Sequence, residues 1–325
     1  MAVPSRSEVL DDLYVTTWNN RRTEVVDSIF DATPLTKELR RRGGISLNGT
    51  GGRYLEIPLS FAKNETVKSI GKGDTVSLSE TKFMTVAQFE WKYITGTIVR
   101  YMVDDTRNKS LSQHINGANS KINNLRDSLT DYMETMLFGD GTGNGSKDWE
   151  GLGNLVSTTP TAAATVANIA QATYTWWQNR QKTATGPASV YLLSDMRNLA
   201  NTCSEGQTRS FPNVIVTTQT VAELFDDEVL EQRQIINVKE GADPESMSTA
   251  WKGIPLVWSG QCASGRMYFL NSQYIGLNID PDMDFKMTDW KSIPNQVEDR
   301  VAQVVTKGNV ITSRRKSLGV LTSIA

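Results

Sequence analysis

The chain has 325 residues, room for about two domain-sized units at ~150 residues each. Its 34 basic and 36 acidic residues leave a formal charge of −2, which argues against a dedicated DNA-binding protein, because such proteins carry a clear basic excess. Two cysteines, one histidine and no apolar run near the ~18 residues that span a bilayer argue against a disulfide scaffold, a zinc module and a membrane-spanning chain.

The opening "MAVPSRSEVLDDLYV" has no basic-then-apolar pattern. The expectation is a chain made and kept in a reducing cytosol, with Cys203 and Cys262 unbridged. Residues 1 to 50 read as a polar arm with a helical piece, its apolar positions Val25, Val26, Ile29, Phe30 and Leu39 loosely helix-spaced. Pro34 disfavours helix at Thr33 and interrupts them. The arm ends in "RRRGG". Arg40, Arg41 and Arg42 are candidates for contact with nucleic acid or a neighbour's carboxylates, set against the plainer reading of a solvated helix end before a glycine stop.

From Gly51 the period changes to two. Leu55, Ile57, Leu59 and Phe61 alternate with polar residues or proline, and so do Ala87, Phe89, Trp91 and Tyr93. Each run reads as a half-buried strand, and together they predict an antiparallel hairpin over about 53 to 94 with an extended tip. A two-stranded ribbon is marginal in water and both of its edges are open, so either its own domain or another copy of the chain must cover it. Pro58, Lys63, Lys68 and Lys72 suit an edge guarded against indiscriminate pairing, and Gly-Lys-Gly-Asp ending at Asp74 is a turn signal.

Leu111, Ile115, Ala118, Ile122, Leu125, Leu129, Tyr132 and Met136 follow at spacings of 4, 3, 4, 3, 4, 3 and 4. This predicts one amphipathic helix over 106 to 138 with a narrow stripe, startable by Asp104, Asp105 or Thr106. Asn119, Asn123 and Asn124 are poor helix formers, so packing must hold it, best across the face of a small sheet.

The glycine-rich stretch that follows, "GDGTGNGSKDWEGLG" (139 to 153), invites a phosphate or metal reading. The Walker spacing fails, with Lys147 after Ser146 in reversed order, and the stretch follows a helix rather than opening one. A calcium loop from Asp140 would need a Glu at its twelfth position, where Gly151 stands. A helix stop and chain crossing is the better reading, with Gly139 at the C-cap.

The second half mixes strands and helices, predicting an α/β or α+β unit over about 150 to 290. "TVANIAQATYTWWQNRQ" (165 to 181) reads as a helix burying Val166, Ile169, Thr173, Trp176 and Trp177. "SVYLLSDMRNLANTC" reads as a short strand and then a helix capped by Ser194. "NVIVTT", "GIPLVWSG", "MYFLN" and "YIGLNI" read as buried strands. Lys307-Gly308-Asn309 reads as a hairpin turn between "VAQVV" and "VIT", and the chain's end is expected to pair with strands near 95 to 104, making a discontinuous domain.

No catalytic constellation emerges. His114 has no assignable nucleophile or carboxylate partner. The acidic clusters "FDDE" (225 to 228) and "DPDMD" (280 to 284) read as solvated turns rather than cation sites. The expectation is no enzyme, no metal and no cofactor.

The order of elements resembles the major capsid proteins of tailed bacteriophages, the Hong Kong 97-type fold. "INNLRDSLTDYMETMLFGDGTGNGSKDWEGLGNLV", "NSQYIGLNI" and the terminal "RRKSLGVLT" carry the likeness, and the match in order covers nearly the whole chain. The resemblance implies an α+β capsid fold: an N-terminal arm (1 to 50), an extended loop reaching over a neighbour (51 to 94), a peripheral domain (95 to 149 and 291 to 325) with a spine helix (106 to 138), and an axial domain (150 to 290). Lys63, Lys68, Lys72 and Asp74 then become inter-subunit contacts, Leu111, Ile115, Ile122, Leu125, Leu129 and Met136 the packing stripe of the spine helix, and Arg40, Arg41 and Arg42 contacts of the arm. The function implied is self-assembly, as hexamers and pentamers, into an icosahedral head around double-stranded DNA, in a virion assembled in the bacterial cytoplasm. Packaged DNA would be held without sequence preference. A separate scaffolding protein, a portal and a decoration protein are the further partners implied. An encapsulin-type nanocompartment shell, or another phage structural protein of tail or adaptor type, is the alternative.

Overall fold

The computed structural model describes residues 6–47, 52–103, 111–233, 249–296 and 298–325. The first half contains helices α1 (Arg6–Ala32) and α2 (Pro34–Arg41), strands β1 (Ile45–Leu47), β2 (Tyr54–Ser60), β3 (Met84–Glu90) and β4 (Lys92–Arg100), and helix α3 (Leu111–Phe138). Then come β5 (Thr165–Val166), β6 (Ile169–Ala170), β7 (Arg180–Thr183), α4 (Ala188–Ser204), β8 (Val214–Thr217) and α5 (Gln219–Arg233). The last third holds β9 (Thr249–Trp251), β10 (Ile254–Trp258), β11 (Met267–Leu270), β12 (Ile275–Ile279), β13 (Lys286–Met287), β14 (Lys291–Ser292), β15 (Arg300–Thr312) and β16 (Gly319–Thr322).

The first sheet is organised by β15, a strand of 13 residues. Along one edge it pairs antiparallel with β4, from Arg300 opposite Arg100 to Gly308 opposite Lys92. Along the other edge it takes β14, β13 and β12 in succession, and β1 adds in parallel outside β12. The hairpin turn expected at Lys307-Gly308-Asn309 is therefore absent: Gly308 lies mid-strand, opposite Lys92 on one side and Ile279 on the other. Asn309, fully buried, makes the turn untenable, because its amide donates to Glu90 O (2.9 Å) and accepts from the Glu150 N–H (2.9 Å). Burying those groups unpaired would cost more than local turn preference can return.

Helix α3 lies across this sheet. Gly96 on β4 permits the close approach, since a Cβ there would stand 2.3 Å from Leu125 Cδ1. Ala118, Ile122, Leu125, Leu129, Met133, Met136 and Leu137 are buried. Tyr132 is not: it is 40% exposed, and its hydroxyl donates to Asp148 Oδ1 at 2.6 Å. The expected 3.5-residue seam thus gives way to Met133. A straight helix on a sheet keeps 3.6 residues per turn and drifts off a heptad repeat, whereas a supercoiled helix would hold it. The side chains of Leu111, His114 and Ile115 lie outside the described ones, as do residues 104–110.

The arm is more regular than its sequence suggested. Helix α1 runs for 27 residues, buries Tyr14, Trp18, Val25 and Ile29, and packs along α3. Asp11 fixes it to the sheet by pairing with both Arg100 of β4 and Arg300 of β15. Thr33 is extended (φ −98°, ψ 128°) before Pro34 starts α2, as the proline ring requires of its predecessor.

The second sheet runs β7-β16-β11-β8-β10-β9. Its central strands β8 and β11 are buried throughout, as a strand covered on both faces must be. Ile215, Leu256, Met267, Phe269 and Leu321 face α4 and α5, while Val214, Val216, Tyr268, Leu270 and Val320 join the main core. Three expectations for this half are corrected. Residues 165 to 181 form no helix: β5 and β6 make a tight hairpin whose central residues Ala167 (φ 52°) and Asn168 (φ 64°) are both left-handed, and 175–177 is one 3₁₀ turn. Residues 188 to 204 form one helix entered through Pro187, not a strand followed by a Ser194 cap; the Ser194 hydroxyl donates back to Tyr191 O at 2.8 Å. Sheet membership also crosses the expected boundaries, since β12 and β13 belong to the first sheet and the terminal β16 to the second.

Arg315 ties the two sheets at the passage from β15 to β16. Its side chain is fully buried and all five donors are used: Nε to Leu155 O, Nη1 to Gln171 Oε1 and Trp177 O, Nη2 to Asn154 O and Asn179 Oδ1, between 2.8 and 3.2 Å. Only the planar guanidinium fork serves five acceptors from one place. Arg315→Lys keeps the charge and strands most of those oxygens, so it should lower stability by about 3 kcal/mol in urea denaturation. A loss under about 0.5 kcal/mol, the range of an indifferent surface change, would show that the joint does not depend on this side chain.

Candidate assembly surfaces

The glycine-rich crossing after α3 closes on protein rather than on a ligand. The Gly139 N–H returns to Thr135 O and Met136 O, and the Gly153 N–H donates to Gly139 O at 2.9 Å. Gly151 stacks on the end of α3 so tightly that a Cβ would meet Met136 O at 2.2 Å. Asp140 accepts from the Thr142 N–H and hydroxyl, and these bonds hold its carboxyl below the usual range. The exposed carbonyls of a helix C-terminus repel anions. In the second acidic cluster Asp280 pairs with Lys307 Nζ at 2.6 Å and Asp284 faces Arg22, while Phe225 of the first is core. Among the described residues no three His, Cys, Asp or Glu side chains could share a metal ion, and no helix is long and apolar enough to cross a membrane. Cys203 and Cys262 are free and buried, and burial pushes both thiols up to about 12.

The hairpin is anchored at its base and unsupported at its tip. Strands β2 and β3 pair from Tyr54 opposite Glu90 to Ser60 opposite Met84, with Leu55, Leu59, Ala87 and Phe89 buried. Phe61 stacks on Trp176 (5.0 Å between ring centroids), and the Gln88 N–H donates to Ala167 O at 3.1 Å. From residue 62 to 83 there is no helix or strand. The hydrogen bonds there are local: Thr66 to Asn64, Gly71 N–H to Asp74 Oδ2, Lys68 Nζ to Thr75 O. Lys63 and Lys72 are exposed, so the four hairpin residues singled out by sequence share one protruding segment. What sequence reading missed is its apolar content: Leu78 is 97% exposed, Val67 82% and Ile70 61%, with Val76 and Phe83 also exposed.

The arginines before Gly43 have partners within the chain. Arg40 pairs with Asp27, while Arg41 and Arg42 both close on the buried Glu38 (2.9 and 3.3 Å). Arg40 thereby joins α2 to α1, while Arg41 and Arg42 share Glu38 at the end of α2.

No protein-family model and no curated protein matches the chain. Solved structures do. The capsid asymmetric unit of Cyanophage A-1(L) superposes with a TM-score of 0.62 at 15% identity, over 86% of this chain and 90% of that one. The capsid of Myoviridae Phage XM1 gives 0.57 at 12%, over 87% and 91%. The chain has the Hong Kong 97-type fold. The same fold relates it to the holo-SrpI encapsulin of Synechococcus elongatus PCC 7942 (TM-score 0.54, 11% identity, over 90% and 88%).

Within this fold the crossing also carries an acid shifted upward, Glu150. Burial, countered by Lys92 and reinforced by Glu90, raises Glu150 above the ordinary 4.5. An acid so raised binds its proton more tightly in the folded state, so its contribution to stability is full below about 4.5 and fades as pH rises through the folded value. Glu150→Gln should therefore gain stability relative to the unmodified chain as pH rises from 4.5 to 8. Denaturation midpoints that differ by a constant amount across that range would contradict the assignment.

Proposed function

We propose that this chain is the major capsid protein of a tailed bacteriophage, closing as hexamers and pentamers into an icosahedral head around double-stranded DNA. The observation that carries the reading is the 62–83 segment: exposed apolar side chains on an unsupported tip, in a fold shared with phage capsids. Exposed apolar clusters on an otherwise well-packed protein mark surfaces meant to be covered. A neighbouring copy covers them here, with Lys63, Lys68, Lys72 and Asp74 as the polar contacts of the same loop. The role is structural and no catalytic step is assigned.

In this reading α3 is the spine of a peripheral domain built on the first sheet, and the second sheet with α4 and α5 is the axial domain around the symmetry axes. Residues 1 to 50 are the arm, held to their own subunit through Asp11 and α2. A scaffolding protein, a portal and a decoration protein are further partners of such a head.

Electron microscopy of the purified chain, and of particles from its producing cells, tests this. Closed polyhedral particles or capsomer rings are expected, with nuclease-protected double-stranded DNA in the native ones. Particles filled with a protein cargo would favour the encapsulin-type shell, and a small closed oligomer under all conditions would refute both. Deleting residues 62 to 82 should leave a folded subunit, by circular dichroism and thermal melting, that forms no stable shells. Intact particles from that deletion would remove the assembly role given to the tip.

A further inference from the structure

We propose that the corner of the subunit where α4 ends is a surface for the phosphate backbone of nucleic acid, an inference that rests on the shell reading above. Glu205 follows α4 in a left-handed conformation (φ 48°), where a carboxylate faces the negative end of the helix and is unfavourable by itself. Three cations converge on it: Arg180 Nη2 at 2.5 Å, Arg314 Nη2 at 3.3 Å and Lys316 Nζ at 3.6 Å. One carboxylate neutralises one of them. The side chains of these three cations keep 33, 31 and 31% of their surface in solvent, so the excess charge is presented outward.

The patch extends beyond this knot. Arg314 Nη1 donates to Gln207 Oε1 (3.5 Å), and its guanidinium lies over the Tyr274 ring at 5.6 Å. Next to Tyr274, the exposed Arg209 donates from Nε to Gln273 Oε1 at 3.4 Å. Guanidinium forks beside amide and phenol donors are the groups that contact a sugar–phosphate backbone. An interface with a second copy would instead want an apolar, desolvated centre, and this corner has none of that character. In a chain whose net charge is −2, a local excess of cations drawn from β7 and the β15–β16 passage to the end of α4 is a defined feature of the fold. It reads phosphate, not base sequence.

The experiment measures binding of the purified chain to a random-sequence DNA duplex as a function of salt, with microscopy of the same preparations. For Arg314→Gln with Lys316→Gln, losing two phosphate contacts should reduce the slope of log affinity against log salt by about 1.8. Between 50 and 200 mM salt the variant should then lose about tenfold less affinity than the parent. Glu205→Gln, which removes the counter-charge, should bind more tightly and with a steeper slope; a variant that merely misfolds cannot do this. An unchanged slope with particles intact overturns the assignment and leaves the shell reading standing. Loss of particles with duplex binding unchanged also overturns it, giving the corner to a neighbouring subunit. A parent chain that forms no particles at all removes the shell reading and this proposal with it.

Discussion

The architecture hangs on a buried cation. Arg315 enters the protein where the chain leaves one sheet for the other, and its five donors reach three places along the chain: 154–155, 171 and 177–179. Burial draws its guanidinium down to about 10, which still leaves it charged at neutral pH. A charge inside protein is tolerable only when every donor finds an acceptor, so all three segments must be correctly placed together. The placement of these stretches against the β15–β16 passage follows from that requirement.

Given that joint, the remaining elements are constrained in turn. The crossing at 150–155 is held to the end of α3 through Gly151 and to β15 through Asn309. Helix α3 is held to β4 at Gly96, and α1 to the same sheet by Asp11. The pairings of Asn309 and Asp11 satisfy buried polar groups, the two glycines allow close packing, and each attachment lies within the subunit. The segment from 62 to 83 is the contrast: its hydrogen bonds are local and its apolar side chains face solvent. Among the described residues the packed body thus contrasts with the loop from 62 to 83, the division that the proposed assembly needs.

The sequence showed what is local and periodic. The hairpin was legible because both strands alternate with period two, and α3 because its stripe persists over most of its 28 residues. Tyr132 was misplaced because a repeat of 3.5 and a repeat of 3.6 diverge only after several turns. The stretch 165 to 181 misled because Val166, Ile169, Trp176 and Trp177 also fall at helical spacings; Asn168, a residue tolerant of left-handed backbone, was the available turn signal. Gly186-Pro187 could likewise have marked the entry to α4. Arg315 could not be read at all, since its acceptors come from positions that share no pattern. The lysines of the tip were visible as charges, while Val67, Ile70, Val76 and Leu78 in the same loop went unremarked because single apolar residues in a loop are ordinary until their exposure is known.

Charge adds the last step. A subunit near neutrality adds little repulsion when copies crowd together, so the proposed shell would close on modest contacts of the kind the tip offers. The same neutrality means that attraction to a polyanion cannot come from the molecule as a whole. It has to come from a place where the fold gathers cations faster than carboxylates. Arg40, Arg41 and Arg42 look like such a place in sequence, but they meet two carboxylates, Asp27 and Glu38, which leave an excess of one charge. Arg180, Arg314 and Lys316 look unrelated in sequence and meet around a single Glu205. Cation runs in the chain and cation excess on the surface are thus different quantities, and only the second can act on a phosphate backbone.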